Sequence, residues 1–212
     1  MKKITNLIIV DASSSMWTKA EEVKDGLKDL LKDIRKDMKN NKDEVKIRTI
    51  ITQFSIAGKF KVLLNTKKRK KVTYDSVENY VPNGMTALFD AIGLSFDMVG
   101  KKQDGVFVSI LTDGHENDSK EYGVEDIKRL FKKADEKDWG VTFMGTTQES
   151  VEAAQSWGIK SNNTFQYADN VKGTKMANTS RNLSKSMYFA SVMEGSVKTD
   201  NLVNESESSD EN

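Results

Sequence analysis

The sequence predicts an α/β fold: a doubly wound, mostly parallel sheet with one antiparallel edge strand and helices on both faces. Three observations carry this. Two predominantly apolar runs, residues 4–10 and 106–111, each end abruptly in small polar residues. That is how a central strand buried on both faces reads when a functional loop follows it. Between the strand-like runs lie stretches with apolar residues at helical spacing, long enough for the right-handed crossovers that parallel strands require. The chain has 212 residues, 37% hydrophobic and 31% charged, which suits one such domain with some excess length.

Residues 18–38 follow the first strand, with Val23, Leu27, Leu30, Leu31 and Ile34 spaced between Lys and acidic residues. This is an amphipathic helix with one apolar stripe, and Asn40-Asn41-Lys42-Asp43 ends it. Residues 45–54 and 58–64 read as two strands joined by a short turn around Ala57-Gly58, hence an antiparallel pair. A basic run, Lys67-Lys68-Arg69-Lys70-Lys71, and the loop Val81-Pro82-Asn83-Gly84 precede a helix over 86–99, with Leu88, Ile92, Phe96 and Val99 on one side. After the strand at 106–111 come a helix (123–137), a strand (141–144), a helix (148–157), a weak last strand (164–167) and a helical pattern over 176–193 that packs at the sheet edge. From Ser196 the chain is rich in Ser, Asn, Asp and Glu, so the expected division is a domain at 1–195 and a disordered acidic tail at 196–212.

Composition excludes several functions. The absence of cysteine removes disulfides, thiolate metal sites and cysteine nucleophiles. A net charge of +1 gives no global field toward nucleic acid or anionic membrane. No stretch is long enough to span a bilayer, and the apolar run behind Met1-Lys2-Lys3 is too short for a signal peptide, so a cytoplasmic protein is expected. There is no Gly-rich phosphate loop and no internal repeat.

Three segments carry the chemistry: Asp11-Ala12-Ser13-Ser14-Ser15 after the first strand, Asn83-Gly84-Met85-Thr86 at a helix start, and Thr112-Asp113-Gly114 after a second buried strand. In an open doubly wound sheet, ligands bind outside the carboxyl ends of strands where connections diverge. If the strands at 4–10 and 106–111 are neighbours, the three loops share one crevice. Their donors are two carboxylates and three hydroxyls, hard oxygens that suit Mg²⁺, Mn²⁺ or Ca²⁺ and disfavour Zn²⁺. Two carboxylates roughly neutralise the ion, and neutral hydroxyls leave it receptive to another anionic oxygen. Plain helix capping by Thr86 competes with metal binding at that position. Asp90, one turn into its helix, reads as a structural acceptor for loop backbone.

Asp11-x-Ser13-x-Ser15 with Thr86 and Asp113 resembles the metal-ion-dependent adhesion site of von Willebrand factor type A (VWA) domains. Gly84-Met85-Thr86-Ala87-Leu88-Phe89-Asp90-Ala91-Ile92 and Leu111-Thr112-Asp113-Gly114 look like that family's second and third motifs, and the match covers residues 1 to about 192. Residues 112–117 and 140–145 are similar to small stand-alone intracellular members of bacteria and phages. The resemblance implies that Ser13 and Ser15 bind the metal through hydroxyls, that Thr86 binds directly when the partner is engaged, and that Asp11 and Asp113 act mainly through water or as outer-sphere anchors, or bind directly in some states. A partner's Glu or Asp would complete the shell. From their places in the loops, Met16, Trp17, Met85, His115 and Glu116 read as the partner-binding rim, with core packing competing for Met16, Trp17 and Met85. Ser14 departs from the Gly frequent in intracellular relatives and adds a Cβ and a hydroxyl at a tight turn.

The leading function is therefore a metal-dependent protein-binding module with no catalysis of its own. A metal-dependent phosphatase using Asp11 would need an acid two residues on, where Ser13 stands. His115, the only histidine, reads as a rim residue rather than part of a hydrolase triad, because no Gly-x-Ser-x-Gly elbow exists. Nucleic-acid binding through residues 67–71 competes with a simple solvated turn, which the charge pattern favours. Self-association, in which the site of one copy captures an acidic side chain of the next, from the tail or elsewhere, is a further alternative.

Overall fold

In the computed structural model, which describes residues 1–203, the strands are β1 (Lys2–Asp11), β2 (Val45–Phe54), β3 (Lys61–Thr66), β4 (Gly105–Leu111), β5 (Gly140–Gly145) and β6 (Thr164–Gln166). The helices are α1 (Ala20–Asn40), α2 (Asp75–Glu78), α3 (Leu88–Asp97), α4 (Val124–Asp135), α5 (Gln148–Ser156) and α6 (Val171–Glu194). One sheet runs in the order β3-β2-β1-β4-β5-β6. Only β2 and β3 pair antiparallel. The chain winds outward from β1 to β3 on one side and from β4 to β6 on the other. The direction reverses between β1 and β4, which pair from Ile4↔Gly105 to Val10↔Leu111. Asp11 and Thr112 therefore leave adjacent strand ends at the switch point, where a doubly wound sheet opens its crevice.

Alternation along β1 divides the core. Leu7 and Ile9 pack with Leu88, Ile92 and Phe96 of α3 and with Ile127 and Phe131 of α4. Ile8 and Val10 face the Val23, Leu27, Leu31 and Ile34 stripe of α1. On that same side, α6 sets Tyr188, Phe189 and Val192 against Ile4 and Phe107. Every residue of β4 and β5 is buried, as the predominantly apolar runs predict for central strands.

The α1–α6 contact is more polar than the rest. Lys185 Nζ meets Asp37 Oδ2 at 2.6 Å, and Asn182 Nδ2 donates to Asp33 Oδ2 at 2.7 Å. Arg181 is 2% exposed, and its guanidinium nitrogens have no hydrogen-bond partner among the described residues. Burial pulls its pKa down to about 10, with the Asp33 charge opposing.

Several boundaries differ from the sequence expectation: β3 spans Lys61–Thr66 rather than 58–64, and α6 begins at Val171 rather than 176. The stretch 14–19 is a 3-10 turn, so α1 begins at Ala20 rather than near Thr18. The helix expected from Thr86 begins at Leu88, with Ala87 in the N-cap position. The packed unit also runs past 195. Lys198 N–H donates to Ser191 Oγ, Asn163 Nδ2 donates to the Thr199 carbonyl, and Leu202 N–H donates to Asn163 Oδ1. Leu202 and Val203 are buried. Residues 196–203 thus form an ordered strap, because two apolar side chains anchor a segment whose composition is otherwise polar. The remainder of the expected tail, 204–212, lies outside the described residues.

Candidate metal centre

Asp11 ends β1 fully buried. Its Oδ1 accepts from Ser13 N–H at 2.7 Å, and its Oδ2 accepts from the Thr112 hydroxyl at 2.5 Å. Tyr80 O–H donates to its carbonyl at 2.6 Å and so fixes the strand end from beneath. Burial raises the Asp11 pKa to about 6; the Thr112 and Ser13 hydrogen bonds pull against it, and the Asp113 charge adds to the rise. Burial, with the charges of Asp11 and Asp113, also pushes the Tyr80 hydroxyl well above its ordinary range, so it stays a donor.

Ser13 and Ser15 place their hydroxyls 3.0 Å apart, and Ser15 Oγ donates to Asp113 Oδ1 at 2.7 Å. Asp113 is held from both sides: Thr146 Oγ1 donates to its carbonyl, and the Lys19 ammonium reaches its Oδ2 at 2.5 Å. Lys19 also binds Asp169, in the segment leading to α6. Burial works against the lysine's charge, but the hydrogen bonds to Asp113 and Asp169 outweigh it and leave its pKa above the ordinary lysine value.

Thr86 is buried, and its backbone is clamped by Asn117: Thr86 N–H donates to Asn117 Oδ1 and Asn117 N–H donates to the Thr86 carbonyl. The Ala87 cap has no side-chain bond, and Thr86 Oγ1 has no hydrogen-bond partner among the described residues. Capping therefore does not account for Thr86. Space beside it is kept by Gly114, where a Cβ would lie 3.1 Å from Thr86 Oγ1 and 3.8 Å from Asp11 Oδ2. Thr86 and Asp11 both approach Gly114, and hydrogen bonds link Asp11, Ser13, Ser15 and Asp113 in a row; their two carboxylates and three hydroxyls are a set of hard oxygens that fits a divalent cation. No group of three His, Cys, Asp or Glu forms among the described residues, so hydroxyls would have to supply much of the shell.

The loops are stitched together. Ser14 N–H donates to the Gly84 carbonyl, and Gly84 N–H donates to Ser14 Oγ at 2.8 Å. The hydroxyl that departs from the family pattern thus ties the first loop to the second. Gly84 has φ +85° and packs against Ile56, so a side chain there would be strained and crowded. Asp90 accepts from the N–H groups of Lys120, Glu121 and Tyr122, the structural role expected of it.

The expected rim divides. Trp17 and Met85 are 65% and 50% exposed beside the first two loops, and His115 is exposed. Met16 is instead 1% exposed, because the 3-10 turn rotates it into the core against α1. Glu116 also turns away. Its carboxylate accepts from Phe89, Asp118 and Ser119 N–H groups and from the Ser119 hydroxyl, so it caps α3 from another loop. The basic run 67–71 is exposed; β3, which precedes it, pairs its last residue with Thr49 in the middle of β2. The structure does not bring it to the three loops. Thr112, Lys19, Asp169 and Tyr80 were not foreseen as parts of the site. Of these, only Thr112 had a signal, its place beside Asp113.

The family model described as von Willebrand factor type A domain matches residues 7–185. The chain belongs to this family. The VWA fold is found again in solved structures. The PilB minor pilin from Streptococcus sanguinis is 12% identical with a TM-score of 0.60, covering 91% of this chain and 62% of that one. Proximal thread matrix protein 1 from the mussel byssus, with a zinc-occupied MIDAS motif, is 14% identical with a TM-score of 0.63, covering 86% and 46%. The SpRpn10 VWA domain is 11% identical with a TM-score of 0.59, covering 84% and 94%. At these identities the likeness shows the VWA fold alone. The chain spans less than two thirds of the pilin and of the byssal protein. No curated protein sequence matches it significantly. VWA domains can bind a divalent metal at the MIDAS motif and mediate protein–protein interactions. Among the described residues, no helix is long and apolar enough to cross a membrane.

Proposed function

We propose that this VWA domain is a divalent-metal-dependent protein-binding module that captures an acidic side chain of a partner. The observation that carries this reading is the Thr86 hydroxyl, on a side chain that is 4% exposed, without a hydrogen-bond partner among the described residues and on the same side of Gly114 as Asp11 Oδ2. Ser13, Ser15 and Thr86 would hold the ion through their hydroxyls, and Asp11 and Asp113 would balance its charge. When bound, a divalent ion supplies Lewis acidity toward an external carboxylate oxygen. Mg²⁺ is the expected ion, with Mn²⁺ or Ca²⁺ as substitutes, and the cytoplasm of a bacterium or phage-infected cell is the expected setting.

The protein's own groups set the rest. Trp17 and Met85 flank the site and favour an acidic residue with an apolar neighbour, since exposed aromatic and Met side chains lose unfavourable hydration when covered. Asp11 has no exposed surface, and both its oxygens accept hydrogen bonds, so it is poorly placed as a nucleophile toward phosphorus. Binding therefore fits better than turnover.

Affinity capture from a lysate in Mg²⁺, in EDTA, and with Asp11→Ala or Thr86→Ala, read by mass spectrometry, tests this. A partner present only with wild type in Mg²⁺ is expected. Capture unchanged by EDTA and by both substitutions would sink the reading.

A further inference from the structure

Lys19 is an unusual neighbour for a cation site. It ends the 3-10 turn that begins one residue before Ser15, and it is 5% exposed. A surface lysine keeps its ammonium in water and buries only its stem. This one buries the ammonium between Asp113 Oδ2 and Asp169 Oδ1. The other Asp113 oxygen, Oδ1, faces the Ser15 hydroxyl. One oxygen of the carboxylate is thus spoken for by a permanent charge, and one is turned to the hydroxyl cluster.

Resting on the metal-site reading above, we propose that Lys19 is a positioning residue that makes metal retention depend on the partner's carboxylate. Its ammonium holds Asp113 Oδ2 and denies an ion the second oxygen of that carboxylate. It also cancels one of the two carboxylate charges beside the ion. An ion held this loosely keeps its attraction for an external anion, so metal and acidic ligand bind cooperatively and each binds weakly alone. Asp169, whose side chain is 61% exposed, partly offsets the lysine's charge and ties the segment before α6 into the same unit.

Two substitutions move metal affinity in opposite directions, which a merely structural role does not do. Lys19→Met keeps the apolar stem and removes the charge. Asp169→Asn keeps the shape and leaves the ammonium less compensated. Calorimetric titration of the full chain with Mn²⁺, without and with excess acetate as the carboxylate probe, reads both.

Wild type is expected to bind Mn²⁺ more tightly in acetate. Lys19→Met is expected to bind Mn²⁺ about tenfold more tightly than wild type without acetate, and to gain less from adding it. Asp169→Asn is expected to bind more weakly than wild type. If Lys19→Met does not fold by circular dichroism, the sign of the Asp169→Asn change decides alone. Lys19→Met binding no more tightly than wild type, Asp169→Asn binding as tightly or more tightly, or no acetate gain in wild type would each overturn the proposal. Wild type that binds no Mn²⁺ would overturn the proposed function as well. Binding that is lost in Asp11→Ala but unchanged in Lys19→Met would leave that function standing and remove only the role of Lys19.

Discussion

Asp11→Asn is expected to make the metal-free protein more stable near neutral pH while abolishing metal binding. Asp11 is fully buried, and its pKa rises from the ordinary 3.8 to about 6. At ~1.4 kcal/mol per pKa unit, keeping it ionised above pH 6 costs about 3 kcal/mol, an upper bound for the gain on neutralisation. The sign follows from the folded state binding the proton more tightly than the unfolded state. Wild type gains stability as pH falls through about 6, and the gain is complete below 3.8. Asparagine suits the cage: its oxygen accepts from Ser13 N–H, and its amide donates to Thr112 Oγ1, whose own hydroxyl can turn to the Gly114 carbonyl 3.2 Å away. Urea denaturation in EDTA checks this. The variant should be more stable at about pH 7.5, by about 1–3 kcal/mol, with the difference closing toward about pH 4. With Mg²⁺ at about 100-fold its dissociation constant, wild type should recover about 2.7 kcal/mol and the variant none. A variant no more stable than wild type at about pH 7.5, or a difference independent of pH, would refute the reasoning.

Gly114→Ala should cut Mn²⁺ affinity about tenfold or more with little loss of thermal stability, because the new Cβ would lie 3.1 Å from Thr86 Oγ1; calorimetry beside a melting curve reads both. Truncation after Gly195 should cost about 3 kcal/mol or more in urea denaturation, because it exposes the surface that Leu202 and Val203 cover and removes the Thr199 and Leu202 bonds to Asn163. Arg181→Met should stabilise the protein by about 1 kcal/mol or more at neutral pH, since a buried guanidinium without hydrogen-bond partners is replaced by an apolar chain of similar length.

The fold was legible because its central strands are predominantly apolar runs that end in small polar residues, and the β2–β3 turn is short. α6 was legible only in part. Its buried stripe passes through Arg181, Ser184 and Lys185, which look like surface residues in sequence. The strap at 196–203 was missed for a related reason: composition there is polar, and two apolar anchors decide its place. Within the site, the loop residues were readable from their position after strands. Their supports were not: Tyr80 and Asp169 reach it from more distant parts of the chain, and Lys19, though only four residues after Ser15, looks in sequence like any solvated lysine. Met16 and Glu116 show the opposite failure. Both adjoin site loops in sequence, but a 3-10 turn directs one into the core and the α3 N-terminus draws the other away.

The most direct test is anomalous diffraction at the manganese edge from crystals grown in Mn²⁺. The account predicts one peak within bonding distance of the Ser13, Ser15 and Thr86 hydroxyls, lost in Asp11→Asn. No peak there, or a peak that persists in Asp11→Asn, would contradict it.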